Sequence, residues 1–292
     1  MTTPIAVRGL VKYYEGRPVL GGVDLAIPAG SVCGLLGRNG AGKTTLLRAL
    51  VGLIRVDGGE SRILDAPSWD PPDAVKARLG YAAQVPDLPQ RLTVAACLDL
   101  VAAFQPQWDM AWARSLAERF ELPPHAVVRT LSAGQQQVLA LAMALGHRPE
   151  LLILDEPAAA LDPVVRRRFL SALAELAGTG TTVLFSTHLT ADLDRIADAV
   201  AVLHRGRIAA HLSLTYLAEH GRRYRCAPLP FDCTPRLWPG VVGVMRLADG
   251  AVVHAVDPAV EQRLRAEGAD IIGSDALGLD DLLIGIEANW TW

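Results

Sequence analysis

One short segment, "GRNGAGKTT" (Gly37 to Thr45), constrains this chain more than any other. It follows an apolar run, "SVCGLL", and opens "KTTLLRALVGL", whose apolar residues recur at helical spacing. The pattern G-x-x-x-x-G-K-[ST] between a strand and a helix is a phosphate cradle. Gly37, Gly40 and Gly42 let the backbone wrap closely, so that its N–H groups point at phosphate oxygens. The helix N-terminus adds positive potential. Lys43 can reach the β- and γ-phosphates, and the Thr44 hydroxyl can ligate magnesium. The segment alone leaves kinase, GTPase and ATPase open.

The surrounding pattern predicts an α/β core with a mainly parallel sheet. "IAVRGLVKYY" and "VLGGVDLAI" read as N-terminal antiparallel strands about the turn "EGRP". "LLILDE" and "TTVLFSTH" are further apolar strands, separated by the helix "VVRRRFLSALAELAG", whose Arg166, Arg167 and Arg168 read as a solvated face. From about Leu92 to 147 the pattern is helical throughout, as "TVAACLDLVAAF", "MAWARSLAERFEL" and "QQQVLALAMALG", an inserted helical subdomain. These elements make a first domain of residues 1–212. Residues 213–292 read as a small α+β accessory domain. Within 222–292 there are two strands around the hairpin signal "ADG" and two helices, "PAVEQRLRAEG" and "LGLDDLLIGIEA".

Bulk properties narrow the class. A net charge of -3 lacks the basic excess of a nucleic-acid surface. The mean hydropathy is +0.25, yet no uncharged apolar stretch is long enough to span a bilayer. "MTTPIAVRGL" has no basic start and no long apolar core, so it does not read as a secretory signal. Cys33, Cys97, Cys226 and Cys233 form no C-x-x-C pair, which disfavours zinc or a disulfide framework and suits a reducing cytoplasm. The expectation is a cytosolic chain that docks on something in a membrane.

The run Leu151 to Leu154 ends abruptly in two carboxylates, Asp155 and Glu156. A strand at the sheet centre ends at the carboxyl edge, where ligands sit in open α/β sheets. There Asp155 can hold magnesium, and Glu156 can orient and activate a water. Two acids closing an ordinary buried strand would be costly; the plain alternative is that they leave the sheet into solvent.

With these acids and the turn "LSAGQ" upstream of them, the chain resembles the ATP-binding subunit of an ABC transporter over about residues 5 to 210. "GRNGAGKTT" resembles the Walker A motif, with Gly37, Asn39, Gly40, Ala41, Gly42, Lys43, Thr44 and Thr45 on the nucleotide. "LLILDE" resembles Walker B, and "LSAGQ" the signature motif. The resemblance implies that Ser132, Gly134 and Gln135 cap the γ-phosphate held by a second copy, in a head-to-tail sandwich of two ATP. By itself Ser132 reads as a helix cap. Ala133 departs from the commoner glycine, and alanine disfavours positive φ, so the turn must tolerate it. Tyr14 aligns with the aromatic that stacks on adenine, while Tyr13 faces the other way on a strand. Gln84 aligns with the glutamine that senses magnesium and the attacking water. Asp162 aligns with an intersubunit loop and, followed by Pro163, is a good N-cap. His188 aligns with the histidine that contacts the γ-phosphate.

The resemblance implies ATP and Mg2+ as ligands. It also implies a second ATP-binding subunit, identical or not, and a permease on a separate chain that holds the assembly at the inner face of the membrane. "FQPQWDMAW" resembles bacterial efflux ATPases of the antibiotic-resistance type, while the chain itself leaves both export and import open. A GTPase would need N-K-x-D, which is absent, and a kinase has no need of "LSAGQ". A non-transport ABC-type ATPase with a regulatory C-terminal domain is the alternative. Leu279, Leu282, Leu283 and Ile286 fall at helical spacing and must cover something, within the tail or across subunits. The tail is expected to dock and tune dimer closure, so that deleting residues 222–292 leaves ATP binding intact.

Overall fold

β1 (Ile5–Tyr14) and β2 (Arg17–Ile27) form a hairpin through Glu15 and Gly16, both at positive φ (50° and 76°). β3 (Val32–Leu36), buried throughout, leads through the glycine loop into α1 (Lys43–Leu50). β4 (Gly58–Ile63) and β5 (Ala66–Pro67) complete an antiparallel sheet of order β2-β1-β4-β5. After α2 (Asp73–Lys76) and β6 (Leu79–Ala82), the helical insert supplies α3 (Val94–Ala102), α4 (Met110–Arg119) and α5 (Ala133–Leu145). β7 (Leu151–Leu154), α6 (Pro163–Ala177), β8 (Thr182–Thr187), α7 (Thr190–Ile196), β9 (Ala199–His204), β10 (Arg207–Ser213) and α8 (Leu214–His220) follow. The computed structural model describes residues 3–227 and 238–289, so Cys233 lies outside the described residues.

The second sheet has the order β10-β9-β3-β8-β7-β6. Neighbours from β9 to β6 run parallel, and β10 is antiparallel to β9. β3, β7 and β8 are buried along their whole length, which is why they read as continuous apolar runs rather than alternating ones. Their carboxyl ends fall side by side. That places the glycine loop, Asp155–Glu156 and Thr187–His188 at one edge.

The arginine run is not a solvated face throughout. Arg166 pairs with the buried Asp192 at 2.6 Å, and Arg168 pairs with Glu121 at 2.7 Å. α6 lies against α7 at Arg166, while Arg167 and Arg168 are exposed as expected.

The tail holds four strands where two were expected. β11 (Arg222–Cys226), β12 (Val241–Leu247), β13 (Gly250–Ala255) and β14 (Ile271–Ala276) make an antiparallel sheet of order β12-β13-β11-β14, with α9 (Ala259–Ala266) and α10 (Leu279–Asn289). β11, "RRYRC", hides its alternation behind arginines, although Tyr224 and Cys226 are buried in a small core with Trp238, Val253 and Leu264. β14 is an edge strand with most residues exposed, so it carries little apolar signal.

α10 packs on β12 and also joins the cassette. Leu279, Leu282 and Ile286 belong to the same buried cluster as Leu36, Val200 and Leu193. The stripe therefore covers its own chain's core. Thr190 Oγ1 donates to Asp280 Oδ1 at 2.7 Å, and Arg38 meets Glu287 at 3.4 Å. The crossing of α10 over β12 is glycine on glycine. A Cβ on Gly243 would stand 2.1 Å from the Gly285 carbonyl oxygen. Gly243→Ala is therefore expected to lower the stability of the chain by about 1–3 kcal/mol, read as a reduced Tm in a thermal melt.

Candidate active site

The glycine loop has the backbone its sequence demands. Gly40 and Gly42 hold φ of 83° and 106°, a region open to glycine. A Cβ on Gly37 would lie 2.5 Å from the Leu203 carbonyl oxygen, so the loop is pressed against β9. Ala41 is buried and its carbonyl accepts from Gly206 N at 3.1 Å. Asn39 is exposed, and Thr44 and Thr45 are half-buried in the first turn of α1. No side chain caps α1 at Gly42, so the first-turn N–H groups face the loop without a side-chain acceptor. An anion fits such an end.

Lys43 and Glu156 are each 6% exposed. Lys43 Nζ donates to the carbonyls of Gly37 (2.6 Å) and Arg38 (3.3 Å) and stands 3.1 Å from Glu156 Oε1. Glu156 adopts φ 46°, an unusual conformation for a non-glycine residue, and its other oxygen meets His188 Nδ1 at 2.8 Å. Ser186, on β8, ties the acids together. Its Oγ accepts from Glu156 N at 2.8 Å and donates to Asp155 Oδ1 at 2.7 Å.

Asp155 is 1% exposed, and its Oδ2 has no hydrogen-bond partner among the described residues. A buried carboxylate oxygen without a donor is costly unless positive charge arrives. The donor set therefore fits a hard divalent cation such as magnesium. Burial, and to a lesser extent the charge of Asp155, push the Tyr81 phenol up, so it remains a neutral neighbour of the acids.

The structure thus brings Lys43, Asp155, Glu156 and His188 together. Other residues named from the sequence stand apart. Among the described residues no hydrogen bond or ion pair joins Tyr14, Gln84, Ser132, Gly134, Gln135 or Asp162 to that group. Gln84 is exposed, just beyond β6. Tyr14 and Tyr13 are both exposed, at the end of β1 beside the hairpin turn. Asp162 caps α6, accepting from Val164 N (2.9 Å) and Val165 N (3.1 Å).

Ser132 and Gln135 form a reciprocal capping box at α5. Ala133 is the first helical residue and does not have positive φ, so alanine meets no backbone strain there, contrary to the concern raised by its sequence. Gly134 packs on the loop before α6, where a Cβ would lie 3.0 Å from the Ala160 carbonyl oxygen.

Sequence reasoning missed two connectors. One is Ser186, visible only as a hydroxyl at the end of a buried strand. The other is Gln137, whose Nε2 donates to Ala83 O at 3.3 Å and ties α5 to the loop bearing Gln84.

A parallel sheet with this cradle, this acid pair and a helical insert defines a P-loop ATPase of the cassette type. Comparison with known proteins places it further. The ABC transporter family model matches residues 20–159. The daunorubicin/doxorubicin resistance ATP-binding protein DrrA of Streptomyces peucetius is 36% identical over 72% of this chain, which spans 65% of that protein's length. The fluoroquinolones export ATP-binding protein of Mycobacterium tuberculosis is 32% identical over 98% of this chain and 93% of its own. A solved ATP-binding subunit of an ABC transporter is similar at a TM-score of 0.68 with 28% identity, over 75% of this chain and 92% of that one. A dimeric bacterial ABC transporter cassette is similar at 0.66 with 26% identity, over 72% and 98%. The chain belongs to the ABC transporter family and is its ATP-binding, ATP-hydrolysing component.

Proposed function

We propose that this cassette powers export of a small molecule through a permease on a separate membrane chain, by ATP-driven closure of two cassettes. The observation that carries the reading is the division of the site. Lys43, Asp155, Glu156 and His188 form one half, while Ser132 stands exposed at the start of α5 without contact to it. A second copy placed head to tail brings the two halves together. The resistance and export names of the relatives support the direction of transport, and their ATP-binding role supports a membrane partner at the inner face of the membrane. Among the described residues no helix is long and apolar enough to cross a membrane.

In this reading the N–H groups of Gly37 to Thr45 cradle the phosphates, and Tyr14 stacks on adenine. Lys43 leaves Glu156 for the β- and γ-phosphates. Glu156, freed from Lys43, orients a water and takes its proton, and His188 holds the Glu156 carboxylate in place. Thr44, Gln84 and Asp155 would hold magnesium, which when bound neutralises charge on the phosphates. Ser132, Gly134 and Gln135 receive the γ-phosphate of the partner's ATP, helped by the start of α5. Asp162 faces the second copy.

Ser132→Arg tests the composite site. It is expected to abolish hydrolysis while each chain still binds ATP. Mixing it with Lys43→Ala chains does not restore the full rate, because each mixed dimer holds at most one intact site. Wild-type hydrolysis by a strictly monomeric chain would sink the model. Purifying the chain from membranes and identifying the polypeptide bound to it tests the permease.

A further inference from the structure

His188 is held by very little. Its side chain is 44% exposed, and among the described residues its one hydrogen-bond partner is Glu156. Its aim must therefore come from the backbone on either side of it. That backbone is clamped through Thr187. Leu189 N donates to Thr187 Oγ1 at 3.0 Å, and Thr187 Oγ1 lies 3.4 Å from Asp192 Oδ2. Asp192 is buried, and its other oxygen is held from α6 by Arg166, through Nε at 2.7 Å and Nη2 at 2.6 Å.

The spacing makes this a link between two loops of the site. Arg166 lies one helical turn after Asp162, whose carbonyl accepts the Arg166 amide at 2.8 Å. Asp192 lies in the first turn of α7, four residues after His188. The chain therefore closes a ring: Glu156, the loop to Asp162, Arg166, across to Asp192, back through Thr187 to His188, and onto Glu156 again. A largely buried ion pair contributes little net stability compared with well-packed apolar residues; what it can supply is fixed geometry.

We propose that the Arg166–Asp192 pair positions His188 on Glu156, so that Arg166 and Asp192 are positioning residues for ATP hydrolysis. The proposal rests on the reading of Glu156 and His188 as the hydrolytic pair. It also ties the pose of His188 to the loop that carries Asp162, so a shift of that loop reaches the imidazole through one ion pair.

A double-mutant cycle on the full chain tests it. Steady-state hydrolysis and binding of a fluorescent ATP analogue are measured for Arg166→Met, His188→Ala and the double variant. Arg166→Met is expected to lower kcat roughly 10- to 100-fold, the scale of a small misplacement of a reacting group. Its nucleotide Kd should stay within about twofold, as expected when only a catalytic contact is disturbed. In the His188→Ala background the same substitution should cost nothing further. Losses that multiply, or an unchanged kcat in Arg166→Met, overturn the proposal. If His188→Ala alone keeps wild-type turnover, the reading of the site fails and the proposal fails with it. Should Arg166→Met not fold, Arg166→Lys carries the same cycle with the same outcomes, because lysine keeps the charge and loses the fork that holds the angle.

Discussion

Glu156→Gln keeps ATP bound and slows its hydrolysis by about 10²–10⁴-fold, the range for loss of a general base. The geometry explains why binding and turnover separate. Glu156 makes no contact that the phosphate cradle needs; the loop around Gly40 and Gly42 is shaped by its own glycines. In the free protein the Glu156 carboxylate holds Lys43 at 3.1 Å, so it competes with phosphate for that ammonium. An amide competes less well, and the affinity for ATP is expected to be retained or to rise. The amide still accepts from His188, so the site stays assembled but lacks the carboxylate that takes the proton of the water. Lys43→Ala should do the opposite first, weakening nucleotide binding itself. Equilibrium binding of a fluorescent ATP analogue, measured apart from phosphate release, checks both. Near-normal turnover in Glu156→Gln removes that residue from the role.

A chain ending after Gly278 is expected to lose most of its stability, although every motif of the cradle remains. Leu279, Leu282 and Ile286 are 4%, 0% and 2% exposed, and they lie in the main cluster of the cassette. Burying each such side chain stabilises by about 1.5–3 kcal/mol. Loss of all three therefore approaches the about 5–15 kcal/mol that holds a whole domain together. Leu282→Ala alone should cost about 2–5 kcal/mol. The shortened chain also tests the expectation that deletion of residues 222–292 spares ATP binding, because the tail's last helix shares a buried cluster with the cassette. Denaturant midpoints of the full and shortened chains decide it. If the shortened chain unfolds at the same midpoint and binds ATP as well, α10 is not part of that core.

How far the sequence could be read depended on how local each feature was. Gly40, Gly42 and Lys43 act within one loop, so their spacing carried their meaning. The acid pair was legible because a wholly buried strand, Leu151 to Leu154, ends there without alternation. β11 was not, since Arg222, Arg223 and Arg225 mask a strand whose inward residues are only Tyr224 and Cys226.

By itself the sequence determined the cradle, the helix starts at Ser132 and Asp162, and the α/β order of the elements. Each of these rests on backbone preferences and periodicities that operate over a few residues. Only the tertiary structure decided that β8 stands between β3 and β7, and so brings Ser186 under Asp155 and His188 onto Glu156. It alone decided that Arg166 is held by Asp192 rather than by water, and that the stripe of α10 packs on the tail's β12 and on the cassette together. Those contacts join residues far apart in the chain. Which of many chemically similar partners meet is settled by strand order and packing, and no local pattern encodes that choice.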